Sequence, residues 1–331
     1  VSAPFFSVVI AAYNRAGMLR SALRSIQFQT FKDFEVWAVD DGSTDHVPAV
    51  MASFAADERF RVLSLKPNRG MNAARNAALE KVSGEHVTFL DSDDIWLPGR
   101  LEAFAARLRE QSAPGLLFSN AYLLRFGRIV GTLFDPARGI PEGKVPGYYA
   151  IGDRWLPYVT SNVSIRRDAF TRWGGFKAGF KATDTELFAR FLAQGLEVGA
   201  LKRPFAVRRL HEDQITAGHA ENFKQSLAAY EATGAPPEVL AELRAETAAE
   251  VSVHLAKAGR PAEARAFLLE TLGEDARKTP AWRLGGQPAW LLKTMGRLRA
   301  EYLRQRYRPA FLPADYRAAW DVIAPLLAAE D

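Results

Sequence analysis

His86-Val87-Thr88-Phe89-Leu90 runs directly into Asp91-Ser92-Asp93-Asp94, an apolar stretch ending in three carboxylates within four residues. The apolar part reads as a short buried strand. Clustered carboxylates repel one another unless a cation, hydrogen-bond donors or water compensates. If the strand runs on to Asp93, alternation puts Asp91 and Asp93 on one side and Ser92 on the other. Two oxygen ligands on one side of a strand's carboxyl end suit Mg2+ or Mn2+ holding a phosphate. The same residues also suit a solvated acidic turn in which Asp94 caps a helix beginning at Leu97.

Outward from this stretch, short apolar runs alternate with amphipathic segments. Phe6 to Ala12, Phe34 to Val39 and Arg61 to Leu65 read as strands. Between them, one helix carries Met18, Leu19, Ala22, Leu23 and Ile26 at helical spacing, and Val47 to Ala56 and Met71 to Val82 form two more. This order predicts an α/β fold with a mostly parallel, Rossmann-like central sheet flanked by helices. Ligands of such sheets bind beyond the carboxyl ends of the strands. Tyr13-Asn14, Asp40-Asp41 and Asp91 to Asp94 all gather there.

Past Leu97 the pattern is mixed. Expected are a helix with Leu101, Phe104 and Leu108, a strand from Leu116 to Ser119, a hairpin through Phe126-Gly127-Arg128 and a mobile loop from Pro136 to Gly147. A strand from Asn162 to Arg166, a short helix from Asp168 to Trp173 and an amphipathic helix from Thr183 to Gln194 follow. Strand signals vanish after about Ala220. The expected division is a sheet domain over 1–218 and an α-helical C-terminal region over 219–331, with a helical turn at Ala258 to Ala264. Trp290 to Arg308 sets Lys293, Arg297, Arg299, Arg304, Arg306 and Arg308 among apolar residues. It reads either as a helix on an anionic membrane surface or as a packed helix with a solvated basic face.

Composition narrows the partners. Among 331 residues, 48% apolar and 24% charged is the balance of a soluble globular protein, and no apolar run reaches the length of a membrane span. The run from Phe5 to Ala12 has no basic segment before it and reads as a strand rather than a signal peptide. The absence of cysteine excludes disulfides and thiolate chemistry and agrees with a cytoplasmic location, with peripheral contact at the inner membrane face through the basic region. A net charge of +5 favours anionic partners. No nucleic-acid-binding motif accompanies it, so nucleic acid is not expected. No glycine-rich loop of the Walker or dinucleotide type is present, which argues against kinases and dehydrogenases.

Several motifs occur together in order. Ser7-Val8-Val9-Ile10-Ala11-Ala12-Tyr13-Asn14-Arg15, Ser25 to Glu35 and Val39-Asp40-Asp41-Gly42-Ser43-Thr44-Asp45 are followed by Asn68-Arg69-Gly70, Ala74-Arg75-Asn76 and Phe89 to Asp94. From about Phe6 to His211 the chain resembles family 2 glycosyltransferases. The resemblance implies a GT-A fold and inverting transfer of a sugar from a nucleoside-diphosphate donor, UDP foremost, to a hydroxyl of a glycan or lipid-linked acceptor in cell-surface polysaccharide or lipopolysaccharide synthesis. It also implies Mg2+ or Mn2+. Ala11, Tyr13, Asp40, Asp41, Arg75, Asp91 and Ser92 are then the donor-binding candidates, with either Asp40 or Asp41 reaching the base. Asp93 and His211 are the candidate metal ligands.

Inverting transfer needs a base for the acceptor hydroxyl. The family's base is an Asp opening a helix after a Gly-Gly-Phe turn, and Gly174-Gly175-Phe176 followed by Thr183-Asp184-Thr185-Glu186 makes Asp184 the candidate. Thr183 stands where many members have Glu. The same residues also read as a helix start, with Thr183 the cap, Glu186 completing a capping box and Asp184 favouring the helix dipole. Two other functions fit the residues: a nucleotidyltransferase on a similar sheet, and a non-catalytic nucleotide-sugar-binding scaffold.

Overall fold

Strands β1 (Phe6–Ala12) and β2 (Phe34–Asp40) lie parallel, with Phe6 opposite Phe34 and Ala12 opposite Asp40. This computed structural model describes residues 3–125, 127–150, 156–157, 159–180, 183–211, 219–284, 287, 290–292, 294 and 314–328. Helix α1 (Ala16–Gln27) connects the first two strands. α2 (Val47–Ala52) leads to β3 (Phe60–Ser64), and α3 (Met71–Leu79) to β4 (His86–Phe89). β1 pairs with both β2 and β4, and β3 pairs with β2, all in parallel.

Side-chain alternation along β1 divides the core. Phe6, Val8 and Ile10 pack with Leu19, Leu23 and Ile26 of α1 on one face, while Val9 joins Val87, Phe89, Ala74 and Ala78 on the other. This is the parallel sheet expected from the βαβ pattern.

After β4 the sheet turns mixed. β5 (Ile95–Trp96) precedes α4 (Arg100–Leu108), and β6 (Leu116–Arg125) forms a hairpin with β7 (Arg128–Thr132). β8 (Val163–Arg166), α5 (Arg167–Trp173), α6 (Thr183–Ala193) and β9 (Val198–Arg209) complete it. The strand order is β3-β2-β1-β4-β8-β6-β9-β5, with β7 on β6. The Pro136 to Gly147 stretch, expected to be mobile, is tied to β9 by two backbone bonds between Gly143 and Val198, at 2.7 and 2.8 Å.

Two expectations near Asp91 fail. β4 stops at Phe89, and Asp91 to Asp94 form a turn closed by Asp94 N–H donating to Asp91 O at 3.0 Å, so strand alternation does not set the carboxylates' directions. The following helix starts at Arg100 behind Gly99, not at Leu97, and Asp94 does not cap it. The intervening residues form β5, which pairs antiparallel with β9.

The chain forms two units, Val1–His211 with Leu312–Asp331, and Glu212–Phe311. The second contains α7 (His219–Ala232), α8 (Pro237–Lys257), α9 (Pro261–Leu272) and α10 (Pro280–Leu284). The expected turn at Ala258 to Ala264 joins α8 to α9, with Gly259 at φ 83° and Pro261 opening α9. Val251, Phe267 and Leu268 are buried together there. The last helix, α11 (Ala314–Leu327), differs from the division at 218. Its Ala319, Ile323 and Leu326 bury against Ile95, Tyr122, Leu124, Ile129 and Val207 of the sheet, so it belongs to the first unit. Lys293 and residues 295–308 of the basic stretch lie outside the described residues. No helix among the described residues is long and apolar enough to cross a membrane.

Candidate active site

The carboxyl end of β2 is built around Asp40-Asp41-Gly42. Asp41 is buried, and its two carboxylate oxygens accept from Arg69 N at 2.9 Å, Gly70 N at 2.8 Å and Asn68 Nδ2 at 3.0 Å. Asp40, also buried, accepts from Ser43 N at 2.8 Å through Oδ1. The turn needs glycine: Gly42 has φ 76°, and a Cβ there would sit 2.8 Å from Asn68 N. Asn14, at φ 52°, is held to the same loop, its Oδ1 accepting from Thr44 N at 2.8 Å. Next to it Tyr13 is 46% exposed, whereas a core aromatic would be covered. Ala11 is half-buried beside Val39, and Ser92 is buried within the acidic turn.

At the end of β4 the three carboxylates converge. Asp91, Asp93 and Asp94 each offer an oxygen, all within 4.8 Å of one another. Arg75 of α3, itself buried, donates through Nη2 to Asp91 Oδ1 at 2.6 Å. Asp93 accepts from Arg15, and its Oδ2 lies 3.1 Å from His211 Nε2. Arg209 Nε donates to Asp93 O, and the Arg209 backbone N–H to Asp94 Oδ1 at 2.9 Å. Ser161 Oγ donates to Asp94 Oδ2 at 2.5 Å and accepts from Asp91 N at 3.1 Å. The His211 side chain is 18% exposed.

These contacts do not fully offset the burial and mutual repulsion of Asp91 and Asp94. Burial pushes the Asp94 carboxyl up to about 8, and the charges of Asp93 and Asp91 add to it against the bonds from Ser161 and Arg209. Desolvation also raises Asp91, with Asp93 and Asp184 adding to it against Arg75. Hard carboxylate oxygens converging within 4.8 Å, with Asp91 and Asp94 both raised, fit Mg2+ or Mn2+.

Asp184 stands in the first turn of α6. Its Oδ2 is 3.4 Å from Thr160 Oγ1, next in sequence to the Ser161 that bonds Asp94. Glu186 does not serve as a simple capping partner: its carboxylate is gripped by Lys177 at 2.8 Å and Arg190 at 2.8 and 3.0 Å, which together outweigh burial and lower its pKa. The Thr183 side chain lies outside the described residues. The loop before α6 is held from α3, where Asn76 exchanges two bonds with the Phe176 backbone, at 2.8 and 2.9 Å. Asn72 donates to Lys177 O and Phe180 O at 2.7 and 2.8 Å. Trp173 packs on Phe191, at 5.4 Å between ring centroids.

Arg15, Ser161, Asn72 and Asn76 carry no role in the sequence reading. A signal existed for two of them, since Arg15 ends the Tyr13-Asn14-Arg15 string and Asn76 ends Ala74-Arg75-Asn76.

Residues 7–120 match the family model described as Glycosyl transferase family 2. Over 128 residues, 38% of this chain, the sequence is 35% identical to the GalNAc(5)-diNAcBac-PP-undecaprenol beta-1,3-glucosyltransferase of Campylobacter jejuni, and the match covers 41% of that protein. The chain spans less than half the length of that relative and of other curated relatives it matches. The fold is similar to S. aureus TarS 1-349 in complex with UDP-GlcNAc, with a TM-score of 0.56 at 18% identity over 98% of this chain and 90% of that one. It is also similar to mannosyltransferase PcManGT from Pyrobaculum calidifontis in complex with GDP-Man and Mn2+, with a TM-score of 0.54 at 20% identity over 99% and 86%.

Proposed function

We propose that this chain, whose residues 7–120 match the model of glycosyl transferase family 2 and whose sheet has the GT-A fold, moves a sugar from a UDP-sugar or similar donor to an acceptor hydroxyl with inversion. The observation that carries this reading is the convergence of Asp91, Asp93 and Asp94 within 4.8 Å, with Asp184 held 3.4 Å from Thr160 Oγ1, next in sequence to the Ser161 that bonds Asp94.

Asp93 and His211 would hold Mg2+ or Mn2+, which would supply positive charge to offset that developing on a diphosphate leaving group. Asp91, oriented by Arg75, binds the donor beside it. Tyr13 offers its exposed ring to the base, with Ala11 and Ser92 lining the same strand ends. Of the acidic pair, Asp41 is committed on both oxygens to the 68–70 loop, so Asp40 is the better partner for a base N–H or ribose hydroxyl. Asp184 takes the acceptor's proton as its oxygen attacks the far side of the anomeric carbon. The undecaprenol named for the Campylobacter relative supports a lipid-linked or glycan acceptor in surface-polysaccharide synthesis. We assign the helical residues 219–284 to acceptor access or assembly, and peripheral membrane contact to the basic stretch 290–308.

The test is Asp184→Asn. UDP release from a panel of UDP-sugars with acceptor should fall by about 10²–10⁴-fold, with Mn2+-dependent UDP affinity unchanged by calorimetry. Near wild-type turnover would refute the base. Release of pyrophosphate instead of UDP would replace the reading with nucleotidyl transfer.

A further inference from the structure

Arg15 sits where the proposed metal site has its two ligands. Its Nη1 donates to Asp93 Oδ2, and the same nitrogen lies 3.2 Å from His211 Nε2, itself 3.1 Å from that oxygen. A guanidinium has donors only, so both contacts are met when Nε2 is the unprotonated ring nitrogen. Nη1 thus faces a lone pair of the carboxylate and, in that tautomer, the lone pair of the imidazole. A divalent cation held by Asp93 and His211 would take those same two lone pairs. An ion on those two ligands and the guanidinium would both be positive and close together, and like charges at that range repel. Guanidinium and ion therefore compete for the same pair of acceptors.

We infer that Arg15 is the resident counter-cation of the Asp93–His211 pair: it competes with the divalent ion and lets go when a nucleoside diphosphate arrives to accept its guanidinium. This rests on the metal reading of Asp93 given above. The backbone at Arg15 is already fixed, since Leu19 N–H donates to Arg15 O at 3.0 Å and the next residue's N–H to Asp45 at 3.0 Å, so the exchange needs only the side chain to move. Phosphate oxygens are good receivers, because guanidinium pairs with them in a bidentate fork. Cation and nucleotide binding are therefore coupled through one arginine, each favouring the other.

Calorimetric titration of Mn2+ into the full chain, with and without UDP, tests this. Without UDP, Arg15→Ala should bind Mn2+ about tenfold more tightly than wild type, the size expected for removing one competing charge at a partly exposed pair. Arg15→Lys, which keeps a cation there, should stay close to wild type. With saturating UDP the advantage of Arg15→Ala should vanish. Should Arg15→Ala not melt cooperatively, Arg15→Gln is read by the same criterion. If Mn2+ binds wild type, is lost in Asp93→Ala, and binds Arg15→Ala no more tightly, the role of Arg15 is overturned while the metal site stands. If Mn2+ binds wild type neither alone nor with UDP, both readings fall.

Discussion

Near the amino end of β4 the buried Glu35 carboxylate accepts from Ser7 Oγ at 2.6 Å, Ser83 N and Oγ at 2.7 and 2.9 Å, and Arg61 at 2.5 Å. Burial pushes this carboxyl up, but those bonds and the Arg61 charge together bring it below its ordinary value. His86, packed against Phe5 and Phe6, is held neutral, lowered to about 4 by burial and by Arg166. At the carboxyl end of the same strand, Asp91 and Asp94 move the other way. Both ends bury charge-bearing groups. Where donors converge on one carboxylate, the chain supplies its own compensation and the result is scaffold. Where carboxylates converge on one another, Arg15 and Arg75 pair with Asp93 and Asp91, yet Asp91 and Asp94 still rise, and the stability given up there marks the site.

The contrast can be broken by mutation. Asp93→Ala should weaken Mn2+-dependent UDP binding by about 100-fold or more, with little change in melting temperature; unchanged affinity by calorimetry would remove Asp93 from the metal site. Glu35→Ala should do the reverse. It strands the donors of Ser7, Ser83 and Arg61 and should cost about 2–4 kcal/mol in urea unfolding, with UDP affinity intact; a shift in UDP affinity would show that the ends are not separable.

The two ends should also titrate in opposite directions. Asp94 rises from an ordinary value of 3.8 to about 8 on folding, so its contribution to stability is full below pH 3.8 and is lost as pH rises to about 8. Melting of the metal-free protein across that window should show this loss, and Asp94→Asn, which mimics the protonated acid, should remove it. A smaller effect belongs to His86, lowered from 6.5 to about 4: its contribution is full above pH 6.5 and is lost as pH falls to about 4. His86→Phe should flatten the acid side alone; an unchanged acid limb would clear His86 of that role.

The parallel half of the sheet was legible because its strands are unbroken apolar runs with helices of clear period between them. The gathering of Tyr13, Asp40 and Asp91 at strand ends followed from that order alone. The turn at Asp91 to Asp94 was not legible, since a strand running on and a strand stopping at Phe89 share the same residues. What stops it is tertiary: Asp94 is claimed by Ser161 and the Arg209 backbone, from distant parts of the chain. Asp41 looked equivalent to Asp40 for the same reason, and only the 68–70 loop folding onto it separates them. Asn72 and Asn76 sit at helical spacing on α3, a pattern that could have marked a polar contact face but could not name the loop it holds.

Helix α11 bears on how the molecule is made. The apolar face it covers, formed by Ile95, Tyr122, Ile129 and their neighbours, is complete once β9 is in place. The helix emerges from the ribosome roughly 100 residues after that strand, a delay of several seconds at ordinary rates of synthesis. During that interval these apolar residues lack the cover that Ala319, Ile323 and Leu326 later give them. The chain therefore places its last cohesive contact at large sequence separation, where closure is slowest, and chaperone dependence during synthesis should track this edge more than the catalytic one.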